Sequence, residues 1–343
     1  MFGKQKTTLL VLVLAFAGSS VKADFVFGEP VMLGPSVNTS HGAFFTSISA
    51  DGLELYFCSD RPGGSGDSDV WVTIRATKDE TWGEPTNLGS QVNSSTFDGS
   101  PSLSGDGLTL YFDSLRGGGH GNGDIWVTRR ATKSGAWGSA VNLGPPVNTS
   151  GDEGFPVISS DGLELYFGDF SPVLPGGVGK RDLWMSQRPT VSDPWDPPQN
   201  LGPTINSTDH DEMPGMSADG LILLVTARRP GGYGGRDIWF ARRASINDPW
   251  TELVNAGPSI NTSRYDQSAT ISADGSTLYF SSNRSGSSLN LWQASINPLV
   301  DFNGDRQVDC IDICDLVAQW GTDNSLYDIG PMPWGDGIVD EKD

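Results

Sequence analysis

The chain repeats one pattern five times, and that repetition limits its fold more than any other feature. The string "SADGLELYFCSDRPGGSGDSDVW", residues 49–71, has near copies downstream. Anchored on the Asp-Gly pair, the copies stand at Asp51, Asp106, Asp161, Asp219 and Asp274, spaced 55, 55, 58 and 55 residues apart. Each pair follows a short serine-containing run and precedes an apolar one ("LELYF", "LTLYF", "LELYF", "LILLV", "STLYF"). Two strand-like segments about Asp-Gly predict a β-hairpin whose two turn residues both take positive φ. A third strand follows a glycine-rich loop ("DVWVTIR", "DIWVTRR", "DLWMSQR", "DIWFARR", "NLWQASI"). A fourth carries Trp82, Trp137, Trp195 or Trp250 and runs into "NLG" or a variant, then "VNSS", "VNTS", "INST" or "INTS".

Four antiparallel strands at a fixed period predict an all-β fold, a five-bladed β-propeller. A blade cannot bury both faces alone, so the recurrent Trp, Tyr, Phe and Leu fill the space between blades. Glycine (44) and proline (22) make up about a fifth of the 343 residues, which suits short strands and tight turns. The fifth unit stops after its third strand. Its missing piece is at the other end: "FGEPVMLGPSVNTS", from Phe27, aligns with "WGEPTNLGSQVNSS", from Trp82. The N-terminal strand should therefore close the ring by completing the last blade, which hides the weak edges. The three extra residues of the third unit fall in "SPVLPGGVGKR", a loop between strands two and three, as expected for a surface loop.

The string and its copies resemble the WD40-like propeller repeat of TolB-type exported bacterial proteins, over residues 24–297. The resemblance implies a propeller used mainly for binding and supplies no reaction. TolB propellers have six blades, and nothing in this chain matches their N-terminal domain, so no role at the Tol complex carries over.

Residues 1–23 read as a secretory signal: Lys4 and Lys6, an apolar run from Thr8 to Gly18, and Val21 and Ala23 before a cut ahead of Asp24. The apolar run is too short for a membrane span. An exported location, secreted or periplasmic, follows. Loss of Lys4, Lys6 and Lys22 takes the formal charge of −20 to −23. So acidic a chain argues against nucleic acid and anionic membranes as partners. Cys58, Cys310 and Cys314 form no disulfide framework and read as free or buried thiols.

Alternation of the chain puts the loop entering strand one and the loop between strands two and three on one face, the Asp-Gly turns on the other. Eight residues before each Asp-Gly stand Ala43, Asp98, Glu153, Asp211 and Asp266. Ten after it stand Arg61, Arg116, Ser171, Arg229 and Arg284. The four carboxylates near the axis need water or a cation between them, and the four arginines suit a carboxylate or a sugar, so these eight are the candidate ligand site. A structural alternative pairs each arginine with the loop acid of its own blade (Asp69, Asp124, Asp237). The Asn-x-Ser/Thr segments at Asn38, Asn93, Asn148, Asn206 and Asn261 fit a glycosylation pattern, but their fixed place in the repeat makes them turn residues first.

Beyond Pro298 the composition changes. "DFNGDRQVDCID" places Asp301, Asn303, Asp305, the Gln307 carbonyl, Asp309 and Asp312 at positions 1, 3, 5, 7, 9 and 12 of a calcium loop. Arg306 stands where that loop prefers glycine. "IDICDLVAQWG" then predicts a short helix ended by Gly321. Loop and helix together resemble the first half of a type I dockerin, which implies Ca2+ and a cohesin-type partner for residues 298–343. A second loop is incomplete: Asp336, Asp340 and Asp343 take its later positions, while Met332 and Trp334 fall where ligands belong.

Three functions remain open. The first is a non-catalytic propeller binding a glycan or protein and attached through its calcium tail. The second is a glycoside hydrolase with carboxylates in the central funnel. The third is a structural spacer. Repeat-equivalent acids weigh against catalysis, because a catalytic acid usually breaks a repeat.

Overall fold

A computed structural model of the chain describes residues 24–170 and 174–299, with 314–315 and 317–319. Within it, residues 25–297 form one compact unit. The fold is all-β. The signal segment, both calcium loops and their ligands (Asp301, Asn303, Asp305, Gln307, Asp309, Asp312, Asp336, Asp340, Asp343) lie outside the described residues. Of the tail helix, Cys314, Asp315, Val317 and Ala318 are helical.

The strands sort into five sheets, one per blade. Blade 1 is β3 (Ala43–Ile48), β4 (Glu54–Ser59), β5 (Asp69–Ile74) and β6 (Thr86–Asn87). Blade 2 is β7 (Asp98–Leu103), β8 (Thr109–Ser114), β9 (Asp124–Arg129) and β10 (Val141–Asn142). Blade 3 is β11 (Glu153–Ile158), β12 (Glu164–Asp169), β13 (Leu183–Gln187) and β14 (Gln199–Asn200). Blade 4 is β15 (Asp211–Met216), β16 (Ile222–Ala227), β17 (Asp237–Arg242) and β18 (Val254–Asn255). Blade 5 is β19 (Asp266–Ile271), β20 (Thr277–Ser282) and β21 (Asn290–Leu299), completed by β1 (Asp24–Phe27) and β2 (Val31–Met32) from the N-terminus. Val31 and Met32 face Gln293 and Trp292 in antiparallel register, so the N-terminal segment closes the ring. The first strands touch in the order β3, β7, β11, β15, β19 and back to β3, and line the axis.

Why the repeat needs its aromatics is visible between blades. Tyr56 and Val70 of blade 1 pack with Leu110, Phe112 and Trp126 of blade 2. At the seam, Tyr279 and Leu291 of blade 5 pack with Leu55, Phe57 and Trp71 of blade 1 and with Leu33 and Val37 of the closing segment. Phe57, Phe112, Phe167 and Phe280 are fully buried, one in each of four blades. Each such side chain contributes about 1.5–3 kcal/mol by leaving water.

The turn differs from the sequence expectation. Only the glycine takes positive φ (Gly52 74°, Gly107 73°, Gly162 75°, Gly220 71°, Gly275 69°). Gly52 N–H donates to Ser49 O at 2.8 Å, and Ser49 N–H donates to Glu54 O at 2.9 Å, so the loop is longer than two residues. The aspartate acts through its side chain: Asp51 Oδ1 accepts from the Ser49 hydroxyl and from Leu53 N–H. That is an Asx-type turn, which leaves the Asp backbone unstrained.

Candidate ligand-binding face

The sequence-predicted acids and arginines are brought together, but blade by blade and inside the protein. Asp98, Asp211 and Asp266 are fully buried, and Glu153 nearly so. Arg116 reaches Asp98 Oδ1, Arg229 Nη2 is 2.7 Å from Asp211 Oδ1, and Arg284 Nη2 is 2.8 Å from Asp266 Oδ1. The same guanidiniums donate to the carbonyls of Val92, Ile205 and Ile260. They also lie over aromatic rings, Arg116 over Phe112 and Trp126, Arg284 over Phe280 and Trp292. Each Arg–Asp pair thus staples strand one to the loop before it. In blade 1, where Ala43 replaces the acid, Arg61 keeps the carbonyls of Ser36 and Val37 and the Ser59 hydroxyl and has no carboxylate partner among the described residues. In blade 3, Glu153 is held by Thr149 N–H and hydroxyl, and burial pushes its carboxyl up. The alternative pairing with the loop acids does not form. Asp69, Asp124, Asp182 and Asp237 instead accept N–H groups of their own glycine-rich loops, from Ser65, His120, Val178 and Tyr233.

The repeated asparagines have a second internal duty. Asn93 Oδ1 accepts Val70 N–H at 2.9 Å while its Nδ2 donates to Val70 O at 3.0 Å. Asn148 clamps Ile125, Asn206 clamps Leu183 and Asn261 clamps Ile238 in the same way. Asn38 does this for Leu291, across the closing seam. Buried and doubly bonded, these side chains are occupied in the fold rather than presented for glycosylation.

The face where blades differ is the loop face, around the mouth of the axial channel. One residue in each first strand sits at a bulge with positive φ: Phe45 (56°), Ser100 (48°), Phe155 (54°), Met213 (51°) and Ser268 (55°). A bulge re-aims side chains at a cost of about 1–2 kcal/mol for a non-glycine residue. These five line the top of a channel of about 100 Å³. That holds a few waters and is smaller than the roughly 300–1,000 Å³ of an ordinary ligand pocket, so a ligand has to sit at the mouth.

Two kinds of side chain meet there. An aromatic chain crosses from blade 1 to blade 3: Phe44–Phe45 (5.0 Å between centroids), Phe45–Phe155 (5.3 Å) and Phe155–Phe170 (4.6 Å). Glycines make room for Phe170 and for two further rings of this face, Phe97 and Tyr265. A Cβ on Gly154 would lie 2.5 Å from Phe170, one on Gly99 2.4 Å from Phe97, and one on Gly235 2.4 Å from Tyr265. Arg181 then lies over the Phe170 ring at 5.0 Å and begins a polar cluster in blades 3–5. Arg181 Nη1 donates to Glu212 Oε1 at 2.7 Å, and His210 Nδ1 is 3.3 Å from the same oxygen. Arg236 Nη2 is 3.0 Å from Glu212 Oε2 as an ion pair, without the alignment of a hydrogen bond, so this buried oxygen accepts none. Arg236 Nη1 donates to Gln267 Oε1 at 3.2 Å, and its guanidinium lies 5.9 Å from the Tyr265 ring.

A further acid breaks the repeat. Asp113 stands where other blades have Cys58, Gly168, Thr226 and Ser281. Its Oδ2 accepts Phe155 N–H at 3.3 Å. Burial pushes its carboxyl up to about 6, against the pull of that N–H and of the Ser100 hydroxyl. None of Phe170, Arg181, Glu212, Arg236 or Asp113 was singled out from the sequence. The available signal was the column after Ala43, Asp98, Glu153, Asp211 and Asp266, which reads Phe44, Gly99, Gly154, Glu212 and Gln267 and turns polar only in blades 4 and 5. Among the described residues, no group of three or more His, Cys, Asp or Glu is placed to hold a metal ion. Among them, no helix is long and apolar enough to cross a membrane. Cys58 is a buried free thiol.

Solved structures share this architecture. The chain is similar to the α-L-arabinofuranosidase PaAbf62A of Podospora anserina, solved with cellotriose: TM-score 0.53, 12% identity, covering 81% of this chain and 98% of that one. It is similar to Zg3597, a family 117 glycoside hydrolase of the marine bacterium Zobellia galactanivorans: TM-score 0.52, 12% identity, covering 82% and 92%. TolB from Acinetobacter baumannii aligns with a TM-score of 0.47 and 13% identity over 76% of this chain, which spans 56% of TolB. At these identities the likeness is one of fold. No protein-family model and no curated protein matches the sequence.

Proposed function

We propose that the propeller is a binding module that takes a glycan at the mouth of its axial channel. The observation that carries this reading is the meeting of an aromatic chain, half-buried Phe44, Phe45 and Phe170 joined through buried Phe155, with the Arg181–Glu212–Arg236 cluster. A sugar ring has an apolar face of C–H groups and a rim of hydroxyls. Aromatic faces take the first, and a carboxylate with forked guanidiniums takes the second. The fold neighbours named above include sugar-acting enzymes, and the five-bladed form suits a ligand at the axis. Attachment of the exported protein to a larger assembly, through Ca2+ at Asp301–Asp312 and a cohesin-type partner, completes the proposal. The test is a glycan array on the full chain, followed by titration calorimetry with the best hit. Phe170→Ala and Glu212→Gln are expected to lower that affinity about tenfold or more. Capture of a protein ligand with no glycan signal would replace the reading.

A second reading is hydrolysis. Two carboxyls of the mouth region break the repeat and live in different environments. Asp113 is pushed up to about 6 by burial, while Glu212 is ringed by Arg181, Arg236 and His210. A carboxyl raised by burial is what a glycosidase's general acid needs, and a second carboxyl held by hydrogen bonds and ion pairs is a candidate partner. A hydrolase screen on the bound glycan decides it: turnover abolished by Asp113→Asn supports the enzyme, and binding without turnover supports the module.

A further inference from the structure

We infer that the glycan bound at the mouth carries carboxylates, as in a polymer of uronic acids. This inference rests on the glycan reading above. It starts from where the positive charge lies in a chain whose formal charge is −20. On the loop face, Arg61, Arg116, Arg229 and Arg284 bond to carbonyls or carboxylates within the fold. The other loop-face cations, Lys180, Arg181, Arg228, Arg236 and Arg264, all stand in the loops of blades 3 to 5, and Arg181 lies over Phe170 of the aromatic chain. Blades 1 and 2 supply none. A general need for solubility would spread such charges, and a neutral ligand gives no reason to collect them.

The cluster also has donors to spare. Arg181 donates to Glu212 through Nη1, and its Nε and Nη2 donate to nothing among the described residues. Arg236 uses Nη1 on Gln267 and pairs through Nη2 with Glu212, leaving Nε free of any partner among the described residues. Both side chains are about a quarter exposed, so the cluster is open to solvent. One internal carboxylate, Glu212, faces two guanidiniums, so the trio keeps one positive charge, and His210 at 3.3 Å adds another when protonated. A planar carboxylate matches the free edge of a guanidinium in a way that a hydroxyl does not, and Arg181 is held in place by Phe170 beneath it. The exposed acid Asp209, 3.7 Å from His210 Nε2, is neutralised by Lys180 Nζ at 2.9 Å.

The test uses the full chain in affinity electrophoresis. The gels contain polygalacturonate, fully methyl-esterified polygalacturonate, alginate, glucuronoxylan, a sulfated galactan, or neutral xylan and galactan. Retardation by at least one uronic-acid polymer is expected, with at least tenfold weaker binding of its esterified or neutral counterpart. An acidic protein is repelled by these polymers in general, so retardation reports a local site. Arg181→Gln/Arg236→Gln should lose the preference for the acid form. Because that double variant leaves Glu212 buried without its two arginines, exposed Arg228→Gln/Arg264→Gln is the second variant. It should weaken acid binding several-fold at unchanged melting temperature. Equal binding of acidic and neutral forms, or a preference for the sulfated polymer, overturns the inference and leaves the glycan reading standing. Binding of no polymer overturns both.

Discussion

Two layers of the loop face use the same residue types to opposite ends. In the inner layer, Arg116–Asp98, Arg229–Asp211 and Arg284–Asp266 recur at one place in three blades, with carboxylates fully buried. In the outer layer, Arg181, Arg236 and Glu212 occur only where blades 3 to 5 meet, with guanidiniums about a quarter exposed. The lesson is that recurrence marks what the blade needs to exist, and its violation marks what one molecule needs to do. Both layers pair arginine with carboxylate, so residue type alone does not separate them. Position in the repeat does.

The sharpest way to break this comparison is to remove one arginine from the inner layer. Arg116→Ala leaves Asp98 buried with a charge and only the Ser94 groups to hold it. Loss of one partner of a buried pair costs about 3–5 kcal/mol. Urea unfolding at neutral pH should show that loss. A change under 1 kcal/mol would mean the staple is not structural. Next in size is the asparagine clamp. Asn148→Ala orphans the buried N–H of Ile125, whose carbonyl keeps Leu143 N–H at 3.0 Å, and should cost about 1–3 kcal/mol. Asn38→Ala makes the same deletion at the closing seam. If the N-terminal segment is an integral part of blade 5, the two variants lose comparable stability in the same unfolding assay.

Asp113 tests the other side of the comparison, because it is buried like the inner layer but breaks the repeat like the outer one. Its folded carboxyl titrates near 6 and its unfolded one near 3.8. Between those values the native state holds the extra proton, so stability falls as pH rises from about 4 through 6. Above pH 6 the folded protein carries the full cost, up to about 3 kcal/mol for a shift of that size. Asp113→Asn should therefore raise the melting temperature at pH 7.5, and the gain should shrink on titration toward pH 4. A gain that stays constant with pH would assign it to packing instead.

The sequence carried the blades openly because blade physics is periodic. A fixed spacing between Asp51, Asp106 and Asp161 is a direct image of one hairpin made again and again, and the alignment of Phe27 with Trp82 already placed the closing segment at β21. Two local details escaped. The Asp-Gly turn runs over Ser49–Gly52 with the aspartate bonding through its side chain, a distinction that the dipeptide alone does not contain. The repeated asparagines read as turn formers because their partners lie 23 residues earlier, beyond the reach of local pattern. The mouth escaped for a deeper reason. Its residues come from four blades and share no spacing, and its aromatic chain depends on glycines, such as Gly154 under Phe170, whose role is to be absent. Reading columns of the repeat for variation, rather than for agreement, would have led to Glu212 and Gln267. It would not have told which rings reach them.

The smallest effect on stability should come from the outer layer, and that is what makes it informative. In Arg236→Gln, Glu212 keeps Arg181 Nη1 at 2.7 Å and His210 Nδ1 at 3.3 Å, so its charge is not abandoned. The lost contacts are an unaligned ion pair to Glu212 and one hydrogen bond to Gln267, both from a partly exposed side chain and together worth about 1–2 kcal/mol. Binding of an acidic glycan, by contrast, should fall tenfold or more, since Arg236 is one of two guanidiniums with donors to spare. The pairing of these two numbers separates the layers. Arg116→Ala should move stability by several kcal/mol, and in whatever fraction stays folded the glycan affinity should be unchanged. Arg236→Gln should do the reverse. If both variants lose stability to the same degree, the exposed cluster belongs to the scaffold, and repeat violation would no longer distinguish a site from a seam.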